Sequence, residues 1–120
     1  PHASQVLALA AFDCKEELDG HLGVYAANRT LIMDGLAAAG LTKCAPPDGA
    51  FYVYVDVSDY TDDARAFAAE ILDKADVAVT PGLDFDPVDG HKWLRLSYAR
   101  ATADIAEGVE RLKTFMEARQ

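Results

Sequence analysis

The sequence predicts an α+β domain of two layers. A small, mostly antiparallel sheet of three to four strands packs against helices on one face, preceded by a long N-terminal helix or helix pair. Three observations predict it. Residues 4–39 are rich in Ala and Leu at helical spacing and contain no proline. Three short stretches dense in aromatic and β-branched residues, 50–57, 77–80 and 93–99, are bounded by turn signals. Helical patterns lie between the first two and after the last, with connections short enough for one compact unit.

Taken in order, the stretch Gln5-Val6-Leu7-Ala8-Leu9-Ala10-Ala11-Phe12 is apolar nearly all round. A helix apolar on every side is buried on every side. A domain of 120 residues offers little with which to wrap its own terminus, so a further domain or subunit is expected to cover it. Leu18, Leu22, Tyr25, Arg29, Ile32, Leu36 and Ala39 then recur at steps of three or four and form one stripe. Gly20 and Gly23 mark a kink or a break between two helices, and Gly40 a C-terminal stop. Arg29 interrupts the stripe, and its stem is expected to lie along apolar surface with the head in water.

Pro46-Pro47-Asp48-Gly49 is the strongest turn signal in the chain. In the strand that follows, Phe51, Val53, Val55 and Val57 share one face, and Tyr52, Tyr54 and Asp56 take the other. Aromatic packing under a helix is the expectation for the two tyrosines. Thr61 is placed as the N-cap of the next helix, with Asp62 and Asp63 favourable to its dipole. Phe67, Ala68, Ile71 and Leu72 form its buried stripe. Val77-Ala78-Val79-Thr80 is a short strand closed by Pro81-Gly82. A loop over 83–92 leads to the last strand, and Thr102 caps a final helix with Ile105, Val109, Leu112, Phe115 and Met116 on its apolar side.

Composition narrows the function classes. Hydrophobic residues make up 51%, which excludes a disordered tail. Twenty acids against 11 bases give a net charge of -9 with no basic stripe, so neither nucleic acid nor an anionic membrane is an expected partner. No apolar run reaches transmembrane length, and no basic-then-apolar leader opens the chain. Cys14 and Cys44 stand far apart with no histidine at metal-ligand spacing, so reduced thiols and a cytoplasmic location are expected. The absence of an initiator methionine leads to the expectation of a piece cut from a longer protein.

In the last strand, Leu94, Leu96 and Tyr98 share one face, while Arg95 lies on the other with Trp93, Ser97 and Ala99. Burying a guanidinium is costly unless an anion pairs with it, and its planar fork matches a carboxylate. Two readings of the pattern stand side by side. The face is solvated or Arg95 pairs with a local acid, or Arg95 is held for a carboxylate ligand. Elsewhere no catalytic set is visible. His2, His21 and His91 have no evident partner, and Gly49, Gly82 and Gly90 are single turn glycines. None of Lys15, Lys43, Lys74, Lys92 and Lys113 sits in an apolar pocket motif that would suit imine chemistry.

Several pieces in series carry a resemblance: Pro47-Asp48-Gly49-Ala50-Phe51-Tyr52, then Val77-Ala78-Val79-Thr80-Pro81-Gly82 with Phe85, then Leu94-Arg95-Leu96-Ser97-Tyr98-Ala99, then Glu110-Arg111-Leu112 in the last helix. The series resembles the C-terminal small domain of the class I/II aminotransferases, the aspartate-aminotransferase-like enzymes of fold type I that use pyridoxal phosphate. The long helix with Tyr25 and Arg29 is similar to the segment joining their two domains. The resemblance implies that residues 1–40 connect domains and that 41–120 are the small domain. It implies that Arg95 grips the substrate α-carboxylate, with Phe51 and Phe85 near the substrate. It also implies that the cofactor lysine and the rest of the pyridoxal phosphate site belong to a large domain outside this chain, leaving the fragment inactive and without cofactor. The implied parent is a homodimer that moves an amino group between an amino acid and a 2-oxo acid; lyases, synthases and transcriptional regulators share the fold. Two alternatives come from other classes, a free-standing ACT-like ligand-binding regulatory module and a protein–protein adaptor docking through its first helix.

Overall fold

The computed structural model describes residues 1–119. Its elements are α1 (His2–Ala11), α2 (Lys15–Ala38), β1 (Tyr52–Asp56), α3 (Ala64–Ala75), β2 (Thr80–Pro81), β3 (Trp93–Ser97) and α4 (Thr102–Glu117). The three strands form one antiparallel sheet in the order β1-β3-β2. Helices α2, α3 and α4 cover one face, and the core lies between the layers. Ile32, Leu36, Phe67, Ile71, Leu112, Phe115 and Met116 meet Val53, Val55, Leu94 and Leu96 there, all buried. This is the two-layer α+β domain that the strand and helix periodicities predict. Each fully buried large apolar side chain contributes about 1.5–3 kcal/mol.

The helical N-terminus divides at Phe12–Cys14, where the backbone N–H groups of residues 12–14 turn back to Leu9, Ala10 and Ala11 carbonyls. The break therefore comes earlier than Gly20 and Gly23, which lie inside an uninterrupted α2. Within the expected stripe, Ile32, Leu36 and Ala39 are buried, whereas Leu18 and Leu22 are exposed because the sheet lies only beside the second half of α2. Gly40 ends α2 as predicted. Its φ of +83° suits a residue without Cβ, and Leu41 N–H closes on Leu36 O at 2.8 Å while both leucines are buried.

Four local expectations are corrected. Asp63, not Thr61, caps α3: its Oδ1 accepts from the N–H groups of Arg65 and Ala66, and Thr61 instead accepts from Asp63 N–H. Leu72 lies outside the buried stripe of α3, which closes on Ala75 instead. The second strand is confined to Thr80–Pro81, because residues 77–79 have no ladder partner, Val77 and Val79 packing on the core instead. Thr102 is the first residue of α4 and not its cap; Ala101 holds that position with no side-chain bond.

Candidate functional site

The face of the sheet away from the helices carries Tyr52, Tyr54 and Arg95, since residues of alternate parity on β1 and β3 point away from the core. Leu94 and Leu96 are buried under the helices, and Arg95 between them is half-buried on the opposite side. Tyr54 is directly opposite Arg95 in the ladder, and Trp93 is opposite Asp56. The Tyr54 ring reaches diagonally across and stacks on Trp93, with centroids 4.8 Å apart and planes at 7°. Tyr52 makes the same diagonal reach to Arg95, whose guanidinium carbon lies 5.4 Å from its ring centroid. Phe85 comes from the loop after the 3₁₀ turn Gly82–Asp84, and its ring centroid is 4.3 Å from the same carbon.

Tyr52, Tyr54, Phe85 and Arg95 line an open cavity of about 580 Å³, closed on its far side by the Pro46–Ala50 turn. Two carboxylates, Asp48 and Asp86, also line it. Neither pairs with Arg95. Asp86 Oδ1 instead accepts from the N–H groups of Val88 and Asp89, at 2.9 and 3.2 Å. Among the described residues, the Arg95 guanidinium enters no ion pair and no hydrogen bond, whereas Arg100, Arg111 and Arg119 each hold a carboxylate. Arg29 is exposed, in line with the expectation, and donates to Pro47 O at 3.2 Å, tying α2 to the turn.

The floor of the cavity is tightly built. Tyr54 Oη is buried without a partner among the described residues, and burial, helped by the charge of Asp86, pushes its pKa up. Gly82 is obligatory here for space: a Cβ would come within 2.4 Å of Tyr54 Oη and 2.7 Å of Gly90 O. The loop bearing Phe85 is thereby seated directly on β1.

The sequence profile of the family Aminotransferase class I and II matches residues 1–112. The chain belongs to the class I and II aminotransferases. It is similar to the valine–pyruvate aminotransferase of Mycobacterium tuberculosis, at 44% identity over 97% of this chain and 30% of that protein. A crystal structure of a candidate aminotransferase from Silicibacter pomeroyi superposes with a TM-score of 0.94 at 70% identity, covering 99% of this chain and 32% of that one. The aromatic aminotransferase of Pyrococcus horikoshii superposes with a TM-score of 0.77 at 29% identity, over 92% of this chain and 28% of that one. The chain therefore spans about a third of the length of the aminotransferases it matches. Membership of this family displaces the ACT-like and adaptor alternatives.

Of the site residues expected in this aminotransferase segment, Arg95 and Phe85 are brought together in one cavity. Phe51 stands just outside the cavity wall; it is 49% exposed and meets Tyr52 edge-on at 6.0 Å. It does not share the burial of Val53, Val55 and Val57, because the chain enters β1 through Ala50 at φ +58° and the ladder begins only at Tyr52. Tyr52 and Tyr54 line the open cavity and do not pack under an α-helix, which corrects the sequence expectation. Their strand alternation was a signal that they share a face with Arg95. The five lysines all lie in exposed pairs, with Asp19, Asp59, Glu70, Asp89 and Glu110, and none lines the cavity. No lysine therefore stands at this cavity to form an imine there. Among the described residues no group of His, Cys, Asp and Glu has metal-binding geometry, and no helix is long and apolar enough to cross a membrane.

Proposed function

We propose that this chain is the C-terminal small domain of a pyridoxal-phosphate-dependent aminotransferase and that Arg95 clamps the α-carboxylate of its amino-acid and 2-oxo-acid substrates. The observation that carries the proposal is Arg95 itself: half-buried, at the wall of a cavity, and without an acid partner although Asp48 and Asp86 line the same space. A guanidinium so placed supplies two parallel N–H donors to an entering carboxylate. Holding that group fixes the orientation of the substrate Cα–H bond, which is how a binding residue lowers the barrier of a neighbouring reaction. Phe85, and more distantly Phe51, would bound the substrate beside the clamp.

Pyridoxal phosphate would be held by parts of the parent outside this chain, in keeping with the outward, paired lysines. When bound there it acts as the electron sink for amino transfer. Residues 1–40 would connect to that larger domain, 41–120 would form the small domain, and the parent would work as a cytoplasmic homodimer. Alone, the fragment would be inactive.

The test uses the full-length protein. Arg95→Ala should lower kcat/KM for amino acids by one to several orders of magnitude, as for a buried charge pair left half empty at ~2–5 kcal/mol. Arg95→Lys keeps the charge but loses the planar grip and should fall between. Amines without an α-carboxylate should lose little. Intact amino-acid turnover in Arg95→Ala would refute the clamp.

A further inference from the structure

The manner in which Arg95 is held goes beyond its role as a clamp. We propose that Tyr52 and Phe85 are positioning residues for Arg95, holding its guanidinium by their ring faces and so leaving its N–H donors unoccupied for the incoming carboxylate. The inference rests on the clamp reading above and assigns a use to two rings that line the cavity beside it.

Both ring centroids, at 5.4 and 4.3 Å from the guanidinium carbon, lie within the roughly 6 Å over which an aromatic quadrupole attracts a cation. A carboxylate partner would hold Arg95 more strongly, but through the very donors that a substrate needs, and each turnover would have to displace it. A ring attracts the charge without accepting those bonds in the substrate's place. Neither cavity acid fills that role: Asp86 caps its own loop, and neither it nor Asp48 pairs with Arg95. The rings are themselves fixed. The diagonal that brings Tyr52 to Arg95 is repeated by the Tyr54–Trp93 stack one step along the ladder. Phe85 N–H closes on Gly82 O at 2.9 Å, and Gly82 is seated against Tyr54.

The experiment compares Tyr52→Phe, Tyr52→Leu and Phe85→Leu in the full-length enzyme. Both leucine variants should raise KM for amino acids by about five- to twentyfold, the size expected for a lost cation–ring contact, with kcat little changed. Tyr52→Phe should stay within about twofold of the parent, because the ring and not the hydroxyl does the holding. In Tyr52→Leu, KM for an amine lacking the α-carboxylate should not move. Crystal structures of the leucine variants without substrate should show the guanidinium displaced. An unmoved guanidinium, an unchanged KM for amino acids, equal damage from Tyr52→Phe, or equal loss with the amine in Tyr52→Leu would each overturn the inference. Arg95→Ala in the same assays separates the two ideas. Its retention of amino-acid turnover would end the clamp reading, while guanidinium position in the leucine variants still decides whether the rings hold it.

Discussion

Asn28 is the one fully buried polar side chain among the described residues, and it joins the helical layer to the strand that bears Arg95. Its Nδ2 donates to Tyr98 O at 3.0 Å and to Arg100 O at 2.7 Å, just beyond the end of β3. Asn28→Ala would leave two carbonyls without their donor beside a buried position, an expected loss of about 1–3 kcal/mol. Urea denaturation should show the midpoint falling with the slope unchanged; an unaltered midpoint would mean that water replaces the amide. Asn28 was not legible in the sequence, since a polar residue in an Ala-rich helical pattern reads as surface. Arg95 was legible, because a charge between two leucines in a β pattern must lie on the other face. Its two ring partners were only half legible. Alternation places Tyr52 on the right face, but Phe85 arrives from a loop whose path is set by the Gly82–Gly90 contact, and no periodicity reports that.

At the scale of elements, α1 contrasts with every other helix. None of its ten residues is buried, and Val6, Leu7 and Leu9, with Phe12 just after it, are all exposed. Helices of that length are marginal in water without packing. Each large apolar side chain covered would return about 1.5–3 kcal/mol. The isolated 120-residue chain should therefore associate through α1 as concentration rises, and replacing Leu9 and Phe12 by Glu should abolish this in sedimentation velocity. A wild-type chain that stays monomeric throughout would contradict the argument. The existence and type of the helices and of β1 and β3 were readable from period alone. Caps and ends were less so. Thr61, Asp62 and Asp63 all have capping side chains, and only the backbone path decides that Asp63 is used. Val77–Val79 have β propensity, but β3 is paired on that side for only two residues.

For the molecule as a whole, the Cα radius of gyration is 16.2 Å with extents of 49 × 30 × 26 Å. A compact chain of this length would have a radius of about 14 Å. The excess is consistent with α1 and the exposed start of α2, which carry no packed layer of their own. A chain with no lysine at the cavity that holds Arg95 should not react specifically with pyridoxal phosphate. Mixing the two, reducing with borohydride and mapping the adducts should give low, scattered labelling that dialysis before reduction removes. One stoichiometric, dialysis-resistant lysine adduct would mean that a cofactor seat lies within these residues after all. Sequence could set the class of the fold. It could not show that the cavity is walled jointly by the Pro46–Ala50 turn and the Phe85 loop, segments 35 or more residues apart in the chain.

The alternation of β3 makes the location of Arg95 a matter of odd and even. One residue inserted between Trp93 and Leu94, with the downstream end held by Asn28 and the Tyr98–Phe51 bond, leaves Arg95 in the cavity but turns Trp93 toward the helices. The same insertion between Arg95 and Leu96 sets the arginine against the apolar layer or drives the two leucines apart in facing. Two inserted residues restore every facing but slide Arg95 by about 6.6 Å, a full ring past Tyr52. Length changes are thus forbidden within the strand by counting alone, and chimeras of this domain with its relatives should be cut only in the loop before residue 90 or after residue 100, where the tally of faces is not kept.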